Sequence, residues 1–229
     1  MFGGLPLPVE DYAYDEEGNR TFSTASTGYE SNAHNQLIED DSYLYAYDAK
    51  GNRISRTAKS DGAVESYSYD SQNRLVGYAS DSTTASYAYD ALERRIAKTV
   101  DGVQTAYVYD MSPENALNRD DITLEFDTNG PALLTRRWAH SDSVDEPVGF
   151  EEYGATAVVG TGQERAMFAD RQGSVLWVTE PATGSVLAGY EYGSYGAITQ
   201  TQGNLEQPYR YTGREYDAES GLYHYRARV

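Results

Sequence analysis

Side chains able to do chemistry are present in this chain, but their spacing works against it. Three histidines, His34, His140 and His224, are scattered over 229 residues without ligand spacing and read as free or structural. Glu151-Glu152 and Asp120-Asp121 are adjacent carboxylates. Neighbours on a strand point to opposite faces, which makes each a poor acid–base pair. Asp170 and Asp217 fall in turn-like stretches, and the partners a proteolytic role would need are not visible. The Asp-x-x-Gly-Asn stretches look like fragments of calcium loops but lack the second and third ligand positions. Zero cysteine excludes disulfides, thiol catalysis and cysteine metal sites. No catalytic residue, metal, cofactor or enzymatic activity is expected.

The same aspartates make sense as parts of a repeat. Tyr-x-Tyr-Asp leads into a Gly/Asn/Arg turn at Tyr12, Tyr14 and Asp15, at Tyr45, Tyr47 and Asp48, at Tyr67, Tyr69 and Asp70, and at Tyr87, Tyr89 and Asp90. A fifth copy, Tyr107, Tyr109 and Asp110, starts the same way and breaks off. Aspartate spacings of 33, 22, 20 and 20 set a unit near twenty residues with one longer insertion. A fixed period of that size marks a repeat architecture.

Elementary geometry turns the motif into a hairpin. Tyrosines at i and i+2 share one face of a strand, and cross-strand aromatic pairs contribute roughly 0.2–1 kcal/mol each. The Asp carboxylate can accept a backbone N–H two residues on, and Asp at the first position with Gly at the fourth is a type I turn signature. Gly18 and Gly51 hold that fourth place, Asn73 tolerates it, and Glu93 does not fit, so a differently shaped turn is expected there. After the turn Arg53-Ile54, Arg74-Leu75 and Arg95-Ile96 restart a strand. These arginines recur in phase with the aspartates and read as an exposed ladder, paired with Asp or stacked on Tyr, of modest energy. Gly62 and Gly102 sit in the second connection of their units.

Composition agrees. With 22 Tyr against 5 Phe, and 21 Gly, the chain is too aromatic for disorder and too polar for a large greasy core. Amphipathic tyrosine faces would do the burying. A net charge of −18 argues against nucleic acid and anionic membrane surfaces. It reads as a solubility device for a protein with many sheet edges, or as an acidic wall facing a basic cargo. Nothing resembles a transmembrane helix, and the N-terminus lacks the basic segment and apolar core of a secretory signal.

Further along, Met111 to Asp121 reads as a loop, Ile122–Phe126 and Leu133–Ala139 as strands, and Ser141 to Pro147 as a second loop. Ala155 to Val159 is strand-compatible, and Met167 to Thr179 is a strand–turn–strand. Tyr190 and Tyr192 resume the alternation. No segment offers an amphipathic helix of ten residues. The fold class is all-β, with regular hairpins over 1–110, irregular repeats and loops over 111–160, and a terminal segment over 161–229.

The repeats resemble the YD repeats of the Rhs family, shared with the C components of insecticidal toxin complexes and with teneurins. Pro208 to Arg228 resembles the Rhs repeat-associated core, through Tyr209, Tyr211, Gly213, Arg214, Asp217, Gly221, Leu222, Tyr223, Arg226 and Arg228. Val144–Pro147 and Ala169–Val175 fall where that family has similar elements. The resemblance implies a coiled sheet of hairpins forming a section of a hollow shell, which in bacterial members holds a toxic C-terminal domain. It also implies a secreted or cell-surface location. An Asp-Pro autoproteolytic motif follows the core in such members. This sequence stops at Val229, without that motif or a toxin domain.

Size limits the shell expectation. Roughly twenty strands at ~4.8 Å span on the order of 100 Å of sheet, a ring of roughly 30 Å diameter before side chains fill it. A 100-residue cargo, with a radius of gyration of about 13 Å, would not fit. Two functions stay open. One is a shell segment that encapsulates or presents a polymorphic toxin, partnered by the rest of a shell, a cargo, or another copy along open sheet edges. The other is a surface module binding carbohydrate or protein through exposed Tyr rows. Neither involves nucleic acid or membrane insertion.

Overall fold

The structure is a computed structural model that describes residues 9–110, 120–154, 158 and 160–226. Arg228, most of the loop expected from Met111, and most of the strand-compatible stretch from Ala155 lie outside the described residues. Every described element is a β-strand apart from one three-residue 3-10 turn, Tyr211–Gly213. The chain divides into two compact units.

The first unit comprises Met1–Ser68 and Ala79–Ser82. It holds the hairpin of β1 (Tyr12–Tyr14) and β2 (Arg20–Ser23). It also holds strands β3 (Glu30–Ser31), β4 (Leu37–Glu39), β5 (Tyr43–Tyr47), β6 (Arg53–Ala58) and most of β7 (Val64–Tyr69), antiparallel in chain order. The 33-residue gap between Asp15 and Asp48 is not a plain insertion. Asn32 N–H donates to Gln36 O and Asn35 N–H to Asn32 O, with Asn35 at φ 58°. This is a further turn of the same build with Asn in place of Asp, and Tyr29 stands where the first motif tyrosine would.

The second unit, Tyr69–Tyr78 and Thr83–Val229, carries the longer run of sheet. In chain order its strands are β8 (Leu75–Ala79), β9 (Thr84–Tyr89), β10 (Arg95–Val100), β11 (Val103–Tyr109), β12 (Ile122–Asp127) and β13 (Leu133–His140). They continue with β14 (Pro147–Glu152), β15 (Gln163–Ala169), β16 (Val175–Thr179), β17 (Val186–Tyr192) and β18 (Ile198–Gly203). Each is hydrogen-bonded to its neighbours in sequence, so the sheet is an antiparallel meander, open at β18. The strands expected from Ile122 and Leu133 are β12 and β13. A separate hairpin of β19 (Glu215–Asp217) and β20 (Leu222–His224) follows.

Period-2 alternation puts the core on one face of this sheet. Tyr107, Tyr109, Ile122, Trp138, Phe150, Met167, Val178, Ala188 and Tyr190 form its buried cluster, joined by Tyr209 from the terminal segment. The Trp138 and Phe150 rings lie 4.6 Å apart, and Tyr209 meets Trp138 edge-on at 4.7 Å. Among the described residues no helix is long and apolar enough to cross a membrane.

Candidate functional site

Each motif turn is built the same way. The N–H of the Asp position donates to the carbonyl four residues on, and the N–H three residues on donates back. This holds at Asp15, Asn32, Asp48, Asp70, Asp90, Asp170 and Gly193. The carboxylate finishes the turn: Asp48 Oδ1 accepts the N–H groups of Lys50 and Asn52 at 2.9 Å each. Asp70, Asp90 and Asp170 repeat that pair of contacts, and Asn32 supplies it through its amide oxygen. The second oxygen binds the side chain four residues on, Asn19 and Asn52 in the first copies, Arg74 and Arg94 in the later ones. Hydrogen bonds from Asn19 and Asn52 hold the Asp15 and Asp48 carboxyls below the usual range.

The fourth turn corrects the expectation for Glu93. It adopts φ 68° and donates to Asp90 O like Gly51 and Asn73 in their copies, so the turn keeps its shape despite the wrong residue type. The Asp-x-x-x-Arg clasp and the sheet register on either side hold it there. The arginine ladder is corrected as well. Arg94, not Arg95, pairs with Asp90, and it stacks on Tyr109 at 4.9 Å, as Arg74 stacks on Tyr89 at 4.8 Å and Arg53 on Tyr67 at 4.6 Å. Arg95 holds the strand-restart place, five residues after the Asp, that Arg53 and Leu75 hold in their copies; it faces inward there, over Tyr87 and Tyr107, and is buried.

The second tyrosine of the pair has a shared task in four copies. Its hydroxyl donates to the carbonyl of the residue that restarts the strand after the preceding turn: Tyr47 to Leu37 at 2.7 Å, Tyr89 to Leu75 at 2.8 Å, Tyr109 to Arg95 at 2.9 Å and Tyr192 to Val175 at 2.7 Å. The first tyrosines Tyr45 and Tyr67 donate to the carboxylates of Asp40 and Glu65. Arg20 stacks over Tyr12 at 5.0 Å, while Tyr14 is about half exposed (48%). Tyr69 and Asp70 sit where β7 enters its turn. Asp110 N–H donates to Asp121 O, so the fifth copy closes across its long insertion instead of in a tight turn.

The terminal segment folds back over this tyrosine face within the second unit, and an ionic cluster fastens it. Arg95 donates to Asp217 at 2.6 Å and to Glu215. Lys98 reaches Asp217 at 3.0 Å and Glu219 at 3.3 Å, and Tyr87 donates to Glu219 at 3.0 Å. Burial alone would raise the Asp217 carboxyl, but Arg95 and Lys98 outweigh it and hold it below the usual range. Asp217 therefore closes strand β19 and a buried ion cluster with Arg95 and Lys98. His224 is buried beside Arg95 and Tyr89, and burial first, then Arg95, pushes its imidazole down from 6.5 to about 4.

A second clasp centres on Asp145, which accepts from Arg214 and, at 3.1 Å, from Arg226. Gly213 at φ 68° lies so close to the Asp145 carbonyl that a Cβ would collide with it. Backbone ties complete the seam: Val175 N–H donates to Arg210 O at 3.0 Å, Tyr211 hydroxyl to Ser194 O at 2.7 Å, and Tyr223 hydroxyl to Gly196 O at 2.9 Å. Gly221 N–H donates to Asp217 O in the β19–β20 turn, and Leu222 pairs with Asp217 across it. A cavity of about 40 Å³ remains inside, lined by His140, Asp121, Tyr209, His224, Glu215 and Arg94 among others. His140 Nδ1 is 4.0 Å from Asp121, and its Nε2 faces Ile122 O at 3.0 Å. Among the described residues no cluster of three His, Asp or Glu could hold a metal ion.

The arrangement binds one part of the chain to another. Arg95, Lys98, Glu215, Glu219 and Asp145 carry the seam; sequence reads Arg95 in another role, places Asp145, Glu215 and Glu219 inside stretches similar to family elements without a task, and does not single out Lys98. The doubled Arg94-Arg95 where other copies have one Arg was the available signal.

The family model described as Teneurin YD-shell matches residues 5–144. The "tRNA3(Ser)-specific nuclease WapA" of Bacillus spizizenii is 30% identical over 232 residues, covering 96% of this chain and 9% of that protein. "Salivary gland surface protein 1" of Aedes aegypti is 40% identical over 63 residues, 26% of this chain and 2% of that protein. The solved TcdB2-TccC3 structure aligns over 95% of this chain and 19% of its own, with 14% identity and a TM-score of 0.37. The form without the hypervariable C-terminal region gives 13% identity, 95% and 18% coverage and a TM-score of 0.38. The chain spans less than a tenth of the length of the curated relatives it matches. With more than half of its residues matched by that family model, the chain belongs to the teneurin YD-shell family of Rhs/YD-repeat proteins.

Proposed function

We propose that this chain is a section of shell wall whose terminal segment anchors the end of the wall and which encloses or presents a toxic C-terminal cargo. The observation that carries the reading is the use of the tyrosines. In the second unit Tyr87, Tyr107, Tyr109 and Tyr190 are buried, and the hydroxyls of Tyr89, Tyr109 and Tyr192 are spent on backbone carbonyls of the sheet. Side chains used this way are wall material, whereas a glycan-binding row would leave its rings open to solvent. The name of the Bacillus spizizenii relative supports a nuclease as one class of cargo. A net charge of −18 suits a wall around a basic protein and discourages nucleic acid from binding the wall itself. The family membership supports a secreted or cell-surface setting.

The test uses the full-length protein encoded at this locus. Trypsin is added to the intact protein and to an Asp217→Asn variant, and cleavage of any region after Val229 is followed by mass spectrometry. Protection in the wild type and its loss in the variant are expected. A downstream region cut equally fast in both, or a reading frame with no such region and glycan binding lost on Tyr14→Ala, would overturn the reading.

A further inference from the structure

We propose that β18 is a self-pairing edge, and that two copies of this chain join through it as an antiparallel, two-fold symmetric continuation of the sheet. The inference concerns the surface of the second unit and holds whether or not a cargo is enclosed.

β18 has a strand neighbour on one side only, β17, among the described residues. Thr199 to Gly203 are all exposed. An unpaired edge is a template for another strand, and proteins blunt such edges with charge, proline or bulges. The sequence Ile198-Thr199-Gln200-Thr201-Gln202-Gly203 carries neither charge nor proline. Its one register shift against β17 lies at the Ile198 end, and Gln200 to Gly203 pair regularly with Glu191 to Ala188. From Thr199 to Gln202 the stretch is therefore polar and open, and it ends at Gly203, whose φ is 78°.

The side-chain order says what fits it. A two-fold axis normal to the sheet keeps both copies' faces aligned, so residues directly opposite must have the same parity. Centring the axis on Thr201 sets Thr201 against Thr201, Gln200 against Gln202 twice, and Thr199 against Gly203. Thr–Thr pairs hydrogen-bond across strands, and each Gln amide offers a donor and an acceptor to the other. A strand with mixed sizes or charges would lose that self-match. Repulsion is the main opposing force for a chain at −18. The nearest paired carboxylate is Glu191, one strand inward. Two such carboxylates would stand three strand spacings apart, about 14 Å, beyond the ~8 Å screening length at physiological salt.

The chain has no native cysteine, which makes the test clean. Sedimentation of the wild type at about 100 µM and 0.15 M salt should show twice the 25.4 kDa chain mass, falling toward monomer at low salt. Q200K/Q202K should sediment as monomer with an unchanged melting temperature, which separates lost pairing from lost folding. Opposed Cα atoms at ~4.5–5.5 Å lie within disulfide reach, so T201C should cross-link to a dimer on mild oxidation. T183C, in an exposed turn of the same unit, should not. A wild type that stays monomeric, a dimer that survives Q200K/Q202K, or T201C that cross-links no faster than T183C would each overturn the proposal. The first outcome would leave the edge to a foreign strand.

Discussion

Arg95 and Asp217 meet at 2.6 Å across 122 residues of sequence, and neither side chain is more than 1% exposed. A buried pair of this kind stabilises less than its short distance suggests, because desolvation offsets most of the attraction. Removing one partner is another matter. Arg95→Met or Asp217→Asn should each cost about 3–5 kcal/mol, since the remaining charge is left buried with incomplete pairing. The Arg95→Met/Asp217→Asn double variant should cost clearly less than the two losses added. Urea unfolding of all four proteins measures the cycle. Simple additivity would mean that the pair does not hold the terminal segment.

Glu93 occupies the left-handed region at φ 68° where its sister turns use Gly or Asn. For an L side chain that conformation costs roughly 1–2 kcal/mol, and glycine is free of it. Glu93→Gly should therefore stabilise the protein by about 1 kcal/mol, a rise in Tm of ~2–4 °C. Gly51→Ala should do the reverse, because Gly51 has φ 89° and its added Cβ would stand 3.3 Å from Gln36 Nε2. Differential scanning calorimetry reads both signs. A destabilised Glu93→Gly would show that the glutamate side chain contributes more than its backbone strain.

The repeat and its hairpins were legible because the signal is local. Tyr-x-Tyr alternation, the Asp-led turn and the restart of a strand all lie within ten residues. The extra turn at Asn32 escaped notice because Asn replaces Asp and Ser31 replaces the second tyrosine. Only the backbone hydrogen bonds reveal it. The seam was illegible for a different reason. Arg95 finds Asp217, and Arg214 finds Asp145, through the fold-back of a segment whose partners are 122 and 69 residues away. No period links those positions, although the repeat itself sets which of the two adjacent arginines turns inward, since Arg95 holds the strand-restart place of Leu75 and Arg94 the turn place of Arg74.

The tyrosine hydroxyls that reach back to an earlier strand should be worth more than those on the surface. Tyr109→Phe removes a buried donor from Arg95 O and should cost about 1–2 kcal/mol. Tyr89→Phe and Tyr192→Phe, which break the equivalent bonds to Leu75 and Val175, should fall in the same range. Tyr14→Phe, at a half-exposed position, should stay within about 0.5 kcal/mol of wild type. Chemical denaturation midpoints at constant m-value make the comparison. Equal, near-zero effects at all four sites would mean that the hydroxyls do not staple neighbouring hairpins.

His224 gives the fold a sensitivity to mild acid. Its imidazole is held near 4 in the folded chain against an ordinary value of 6.5, first by burial and then by Arg95. The unfolded chain thus binds a proton that the folded chain refuses, so the stability that neutral His224 permits is complete above pH 6.5 and is lost progressively as pH falls toward 4. By pH 5.5 the loss is about 1 kcal/mol. Asp217 acts lower: its depressed carboxyl contributes stability above the unfolded value of about 3.9, and this is lost only below it. Glu125 has the opposite sign, because burial raises its carboxyl and acid favours its folded form. Between pH 7.5 and 5.5 the wild type should therefore lose stability. His224→Gln should hold level or gain slightly, since only the Glu125 effect remains. Urea midpoints at half-unit pH steps test this, and a variant that keeps the wild-type slope would assign the acid sensitivity to some group other than His224.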